Sequence, residues 1–94
     1  MNRSDVYELI DGERDYQDAK WCSNRSSGEA GNGERTIDEF SLYILGYAQD
    51  AARLASHILD RNLKLAEIRK VAALCVACME QHGAPERFNT FIMK

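Results

Sequence analysis

Residues 68–85 read IRKVAALCVACMEQHGAP, and this stretch decides the fold. It is dense in helix formers and ends on Gly83 with Pro85 just beyond, a pairing that caps a helix and blocks its continuation. Extended back to about Leu63, it predicts a helix over 63–82. One face of that helix carries Leu65, Ile68, Ala72, Cys75, Met79 and His82 at alternating steps of three and four. Leu65, Ile68, Val71, Leu74 and Met79 supply burial. Ala72, Ala73, Cys75, Ala77 and Cys78 are small, so a neighbouring helix backbone can come close.

Upstream, Thr36 with Glu39 is a capping box, and Asp38 places negative charge at the positive end of a helix dipole. A helix over 36–60 follows. Ile37, Phe40, Ile44, Tyr47, Ala48, Ala51, Ala55 and Ile58 form its apolar face, while Leu42, Tyr43, Leu45, Ala52 and Leu59 add apolar surface elsewhere. A helix apolar on several sides packs against several neighbours, and in so small a chain one of them can come from another subunit. Asp60, Arg61 and Asn62 break the pattern between the two helices, which makes an antiparallel hairpin.

A first helix is expected to start at Asp5, with Glu8 as its capping partner. Val6, Leu9 and Ile10 are its apolar side, extended by Tyr16 and Trp21. Glu13, Tyr16 and Lys20 then continue the line of Val6 and Leu9 with polar groups. Such a stripe belongs to a helix that leaves the core and enters a site or interface. The plainer alternative is a solvated second half with Trp21 folded back as a lid.

The expected architecture is all-α: a short N-terminal helix packed on the hairpin as a three-helix bundle, in one domain over residues 1–94. Residues 22–35 hold three glycines and no large apolar side chain, so they read as a flexible loop. Arg25 and Arg35 within it can close over an anionic ligand or simply be solvated. The 86–94 tail is apolar through Phe88, Phe91, Ile92 and Met93, and must dock on its own domain or on a partner. That tail and the surplus apolar surface of the second helix predict a homo-oligomer, at least a dimer.

The 94 residues carry 45% hydrophobic and 29% charged residues with a net charge of −3, the balance of a globular chain. An acidic protein of this kind is a poor nonspecific nucleic-acid binder, because that affinity comes from a general positive field. No apolar run approaches the roughly 20 residues that span a bilayer. Arg3, Asp5 and Glu8 interrupt the start where a secretory signal would be apolar, so the expected location is cytoplasmic. Three cysteines, two on one helix, also speak against a disulfide scaffold.

Cys75, Cys78 and His82 have metal-ligand-like spacing. Consecutive turns of one helix rarely converge on a tetrahedral centre, however, and buried cysteine packs as a small hydrophobe. The expectation is no metal, with His82 capping the helix end. No cofactor is expected either, since no P-loop or glycine-rich phosphate cradle is present, and no Ser-His-Asp order indicates a catalytic triad.

The remaining cluster is Glu13, Arg14, Tyr16, Gln17, Lys20 and Trp21, with Arg69, Lys70 and Arg87 elsewhere. Aromatic faces for stacking and cations for phosphate are the ingredients of nucleotide binding. Plain salt bridging, Glu13 or Asp18 with Arg69, is the alternative.

The segments ERDYQ…KW, TIDEF and IRKVAALCVACMEQHGAPER resemble a group of small helical proteins encoded by bacteriophages and prophages, over residues 13–21 and about 36–87. The resemblance implies a phage accessory protein in the host bacterial cytoplasm, of a kind that blunts host defence. The resulting expectation is a non-enzymatic protein that sequesters a small nucleotide-type signal through Arg14, Tyr16, Lys20, Trp21 and Arg69. Two alternatives stand beside it. One is a protein-binding inhibitor of a host defence complex. The other is a metal-dependent nucleotide pyrophosphatase similar to the MazG family in size and helical character, using Glu13, Asp15 and Asp18 with magnesium. That family's Glu-x-x-Glu and Glu-x-x-Asp pairs on facing helices are missing from the hairpin, whose acids are Asp38, Glu39, Asp50, Asp60, Glu67 and Glu80.

Overall fold

Among the described residues, each helix begins where a short polar side chain takes up backbone N–H groups that have no partner within the helix. The computed structural model describes residues 1–23, 34–57 and 60–87. They form α1 (Arg3–Ser23), α2 (Ile37–His57) and α3 (Arg61–His82), with no strand among the described residues.

The Thr36 capping box of α2 is closed in both directions. The Thr36 N–H donates to Glu39 Oε1 at 2.8 Å and the Glu39 N–H to Thr36 Oγ1 at 3.0 Å. For α3, Asp60 Oδ1 accepts from the N–H of Asn62 at 2.8 Å and of Leu63 at 3.3 Å. The residues that break the apolar pattern are therefore its cap and first turn. Apolar periodicity cannot register a cap.

The first helix starts earlier than its apolar pattern predicts. Asn2 Oδ1 accepts from the Asp5 N–H at 2.9 Å, and Asp5 Oδ2 accepts from the Asn2 N–H at 3.4 Å. Asp5 is thus the third helical residue, and the reciprocal cap lies one turn before the expected Asp5–Glu8 pair. At 21 residues α1 is as long as α2, and it takes in Cys22 and Ser23 from the segment expected to be loop.

At the other end of α3, the Gly83 N–H donates to Met79 O at 2.7 Å. Gly83 has φ 93° and ψ 168°, a region beyond the left-handed basin that is open essentially to glycine alone.

The centre of the bundle is α3. Both α1 and α2 pack on it, while no Cα of α1 comes within 8 Å of one of α2 among the described residues. Ala73, Leu74 and Ala77 of α3 are buried together with Phe40 of α2. The start of α2 is clipped to the end of α3, so these two helices run antiparallel. The Arg35 N–H donates to Gln81 Oε1 at 3.1 Å, and His82 Nε2 lies 2.7 Å from Arg35 O. A carbonyl oxygen only accepts, so Nε2 carries the proton. The imidazole also stands edge-on to Phe40, with centroids 6.2 Å apart. His82 serves the entry to α2 rather than the last carbonyls of its own helix.

The apolar stripe of α3 divides differently from its sequence reading. Leu65, Ile68 and Met79 are 51%, 57% and 45% exposed. With a neighbour on two sides, α3 turns its alanines to them because small residues allow close approach, and the larger stripe is left uncovered. On α2, Phe40 is buried and Ile44, Tyr47, Ala48 and Ala51 are half-buried, whereas Ile37, Leu42, Tyr43 and Leu45 are exposed. The expectations for residues 24–33, for Ile58 and Leu59, for the 88–94 part of the tail, and for the side chains of Trp21, Cys22 and Ala55 lie outside the described residues. No helix among the described residues is long and apolar enough to cross a membrane.

Candidate functional site

From residue 13 onward, the face that α1 turns to α3 is polar. Gln17 and Arg14 are 7% and 9% exposed, and burial of such groups is tolerable only when they are bonded. Gln17 Nε2 donates to Lys70 O at 3.4 Å. Arg14 donates from Nε to Glu80 Oε1 at 2.7 Å and from Nη2 to Asp18 Oδ1 at 2.8 Å. Burial works against its charge, but the hydrogen bonds to Asp18 and Glu80 outweigh it and hold the guanidinium firmly protonated. Arg69 Nε donates to Glu13 Oε1 at 2.9 Å, and the Glu13 side chain is only 9% exposed.

These ties bring α1 over α3 and open a cleft where all three helices contribute. Glu13, Tyr16, Gln17 and Lys20 of α1, Tyr47 of α2 and Lys70 of α3 line a volume of about 110 Å³. Lys70 Nζ donates to Glu67 Oε2 at 2.9 Å. That bond raises its pKa above the ordinary lysine value, and Glu13 and Tyr47 push the same way against the cost of burial. The cleft thus sets two phenol rings and two ammonium groups around a carboxylate that Arg69 already engages. Such walls suit a flat ring carrying negative substituents, since rings stack on aromatic faces and anions pair with ammonium.

Of the residues expected from sequence to bind a ligand, Tyr16 and Lys20 meet in this cleft. Arg14 faces Glu80 and Asp18 instead. Arg69 borders the neighbouring apolar groove and reaches the cleft only through Glu13. Trp21 follows Lys20 on α1. Gln17 and Lys70 belong to the wider cluster of the sequence reading, but Tyr47 does not. The only sign of Tyr47 in the sequence is a hydroxyl on an otherwise apolar face.

A larger hollow of about 480 Å³ lies between the start of α2 and the end of α3, lined by Glu34, Arg35, Thr36, Glu39, Gln81 and His82. Thr36, Glu39, Gln81 and His82 already bond within the cap and the clip, and the Arg35 guanidinium lies 4.6 Å from the centre of the Tyr43 ring. The smaller cleft differs from it in bringing two phenol rings and two ammonium groups together. Cys75 and Cys78 are half-buried free thiols, and burial pushes the Cys75 thiol up. Among the described residues, no three His, Cys, Asp or Glu side chains gather where they could hold a metal ion.

Comparison of the chain with protein-family models, with curated proteins and with solved structures gives no match in any of the three.

Proposed function

We propose that this chain is a non-enzymatic phage or prophage accessory protein that counters host defence by holding a small nucleotide-type signal in the bacterial cytoplasm. The observation that carries the reading is the meeting of Tyr16, Tyr47, Lys20 and Lys70 in one cleft between three helices. In this reading Tyr16 and Trp21 stack on the base, and Lys20 and Lys70 meet phosphate. Arg14 and Arg69 support the site by fixing Asp18, Glu80 and Glu13. The phage setting rests on the resemblance of the ERDYQ…KW and IRKVAALCVACMEQHGAPER segments.

Binding without turnover is favoured by the state of the acids. Glu13 and Asp18, two of the three carboxylates a magnesium-dependent pyrophosphatase would use here, are engaged by arginines of the same chain. A cleft of about 110 Å³ is also well below the roughly 300 Å³ at which ligand pockets begin. One copy covers only part of a nucleotide, so the proposed active form is a homo-oligomer in which a second copy closes over the ligand.

A second reading, inhibition of a host defence protein by direct contact, draws on the exposed Leu42 and Leu45 of α2, 69% and 52% accessible. One experiment separates the classes. The protein is incubated with a panel of nucleoside triphosphates and cyclic nucleotides, and the mixture is analysed before and after heat denaturation. Sequestration predicts a compound that disappears and returns intact. A changed product means an enzyme, and a panel left free and unchanged favours the protein partner.

A further inference from the structure

Beside the polar cleft, α1 and the first half of α3 enclose a groove of about 290 Å³ with Val6, Leu9 and Ile10 on one wall and Leu65, Ile68 and Ala72 on the other. Its side chains are not covered: Val6 is 40%, Leu9 49%, Leu65 51% and Ile68 57% exposed. Bare apolar side chains gathered along both walls of one groove are the kind of surface that association covers.

The two walls differ in charge. Between Arg3 and Glu13, α1 carries Asp5, Glu8, Asp11 and Glu13 against Arg3 alone. Between Arg61 and Lys70, α3 carries Arg61, Lys64, Arg69 and Lys70 against Glu67 alone. Glu13 already pairs with Arg69 and Lys70 with Glu67 within one copy, which leaves Asp5, Glu8 and Asp11 on α1 and Arg61 and Lys64 on α3 to make the surface self-complementary. When two copies meet about a two-fold axis, each contact occurs twice with roles exchanged, so acidic α1 can face basic α3 on both sides.

We infer that this groove is a two-fold self-association face, on which α1 of one copy packs against α3 of a second copy. The face rests on the groove and its charges, and stands whether or not the cleft binds a nucleotide. It names the surface through which the proposed oligomer forms. It also joins the oligomer to the cleft, because Arg69 borders the groove and its partner Glu13 lines the cleft. Covering the groove takes water from this ion pair and firms the wall that both share.

Light scattering and sedimentation of the full chain at micromolar concentration test the inference. Wild type is expected to have at least twice the mass of one chain. Leu9→Asp and Ile68→Asp, at positions half exposed in the single copy, are expected to give monomers that keep the helical circular dichroism signal. Leu42→Asp on the outer face of α2 is expected to leave the mass unchanged. In wild type, hydrogen exchange at residues 6–10 and 65–72 should slow at least tenfold as concentration rises, a reading that needs no variant to fold. A monomeric wild type overturns the inference, as does a mass lost through Leu42→Asp but retained by Leu9→Asp and Ile68→Asp. Exchange at 6–10 and 65–72 that ignores concentration overturns it too.

Discussion

Arg69 Nε donates to Glu13 Oε1 at 2.9 Å, and this pair is the partition between the polar cleft and the apolar groove. Glu13 is almost fully covered while Arg69 remains 42% exposed, so the carboxylate bears most of the desolvation and depends on its partner. Arg69→Met leaves a covered carboxylate without that hydrogen bond. Because the pair is half wet, the expected cost is about 1–2 kcal/mol in urea unfolding, less than for a fully buried bridge. Glu13→Gln, which keeps an acceptor for Arg69, should cost less than Arg69→Met.

Arg14 is the second tie between α1 and α3. Its replacement by Met keeps much of the side-chain volume but leaves Gln17 and Glu80 without their donor. Both carboxylates, Asp18 and Glu80, are more than half exposed and can turn to water, so the expected loss is about 2 kcal/mol rather than the larger cost of stranding a buried acid. Urea denaturation followed by circular dichroism measures it. Asp18→Asn alone should cost about 0.5 kcal/mol, the scale of an exposed helical pair.

Gly83 offers a test of backbone strain without packing. A Cβ added there meets nothing within 4 Å, and φ is +93°. Gly83→Ala should therefore destabilise by about 1–3 kcal/mol, all of it conformational. Gly46→Ala, in the middle of α2 and also open, should stabilise by about 0.5–1 kcal/mol. Thermal unfolding of the two variants should move the midpoint in opposite directions.

The alanine layer of α3 sets how closely the helices pack. Ala73 and Ala77 are 0% and 2% exposed. Ala77→Leu adds three carbons where there is no room and should cost about 1–3 kcal/mol through strain. Ala72→Leu, at a half-covered position bordering the groove, should be nearly neutral in the same unfolding measurement.

The hairpin was legible because its signals are local. Thr36 with Glu39, and Gly83 followed by Pro85, act within a few residues of themselves, and both do in the structure what their chemistry dictates. Sequence places the start of α1 at Asp5 because its apolar side opens at Val6, and the Asn2–Asp5 cap that begins the helix in the structure carries no apolar signal. Which stripe of α3 is buried could not be read, since both its alanine row and its leucine–isoleucine row are apolar. The choice was made by two helices packing at once. Tyr16 and Lys20 share a helix face and are visible as neighbours, whereas Tyr47 joins them only after α2 folds back on α3. A phenol on an apolar face looks like core until its surroundings are known.

The central claim is that the cleft of Tyr16, Lys20, Tyr47 and Lys70 binds the signal. Isothermal titration of a compound captured intact by wild type, repeated with Lys20→Ala, Tyr16→Ala and Tyr47→Ala, tests it most directly. Each change removes a charged contact or a stacking surface worth about 1–3 kcal/mol, so each should weaken binding roughly fivefold or more. The helical signal should be unchanged. Wild-type affinity in all three variants, or a wild type that leaves every nucleotide of the panel free, would contradict the account.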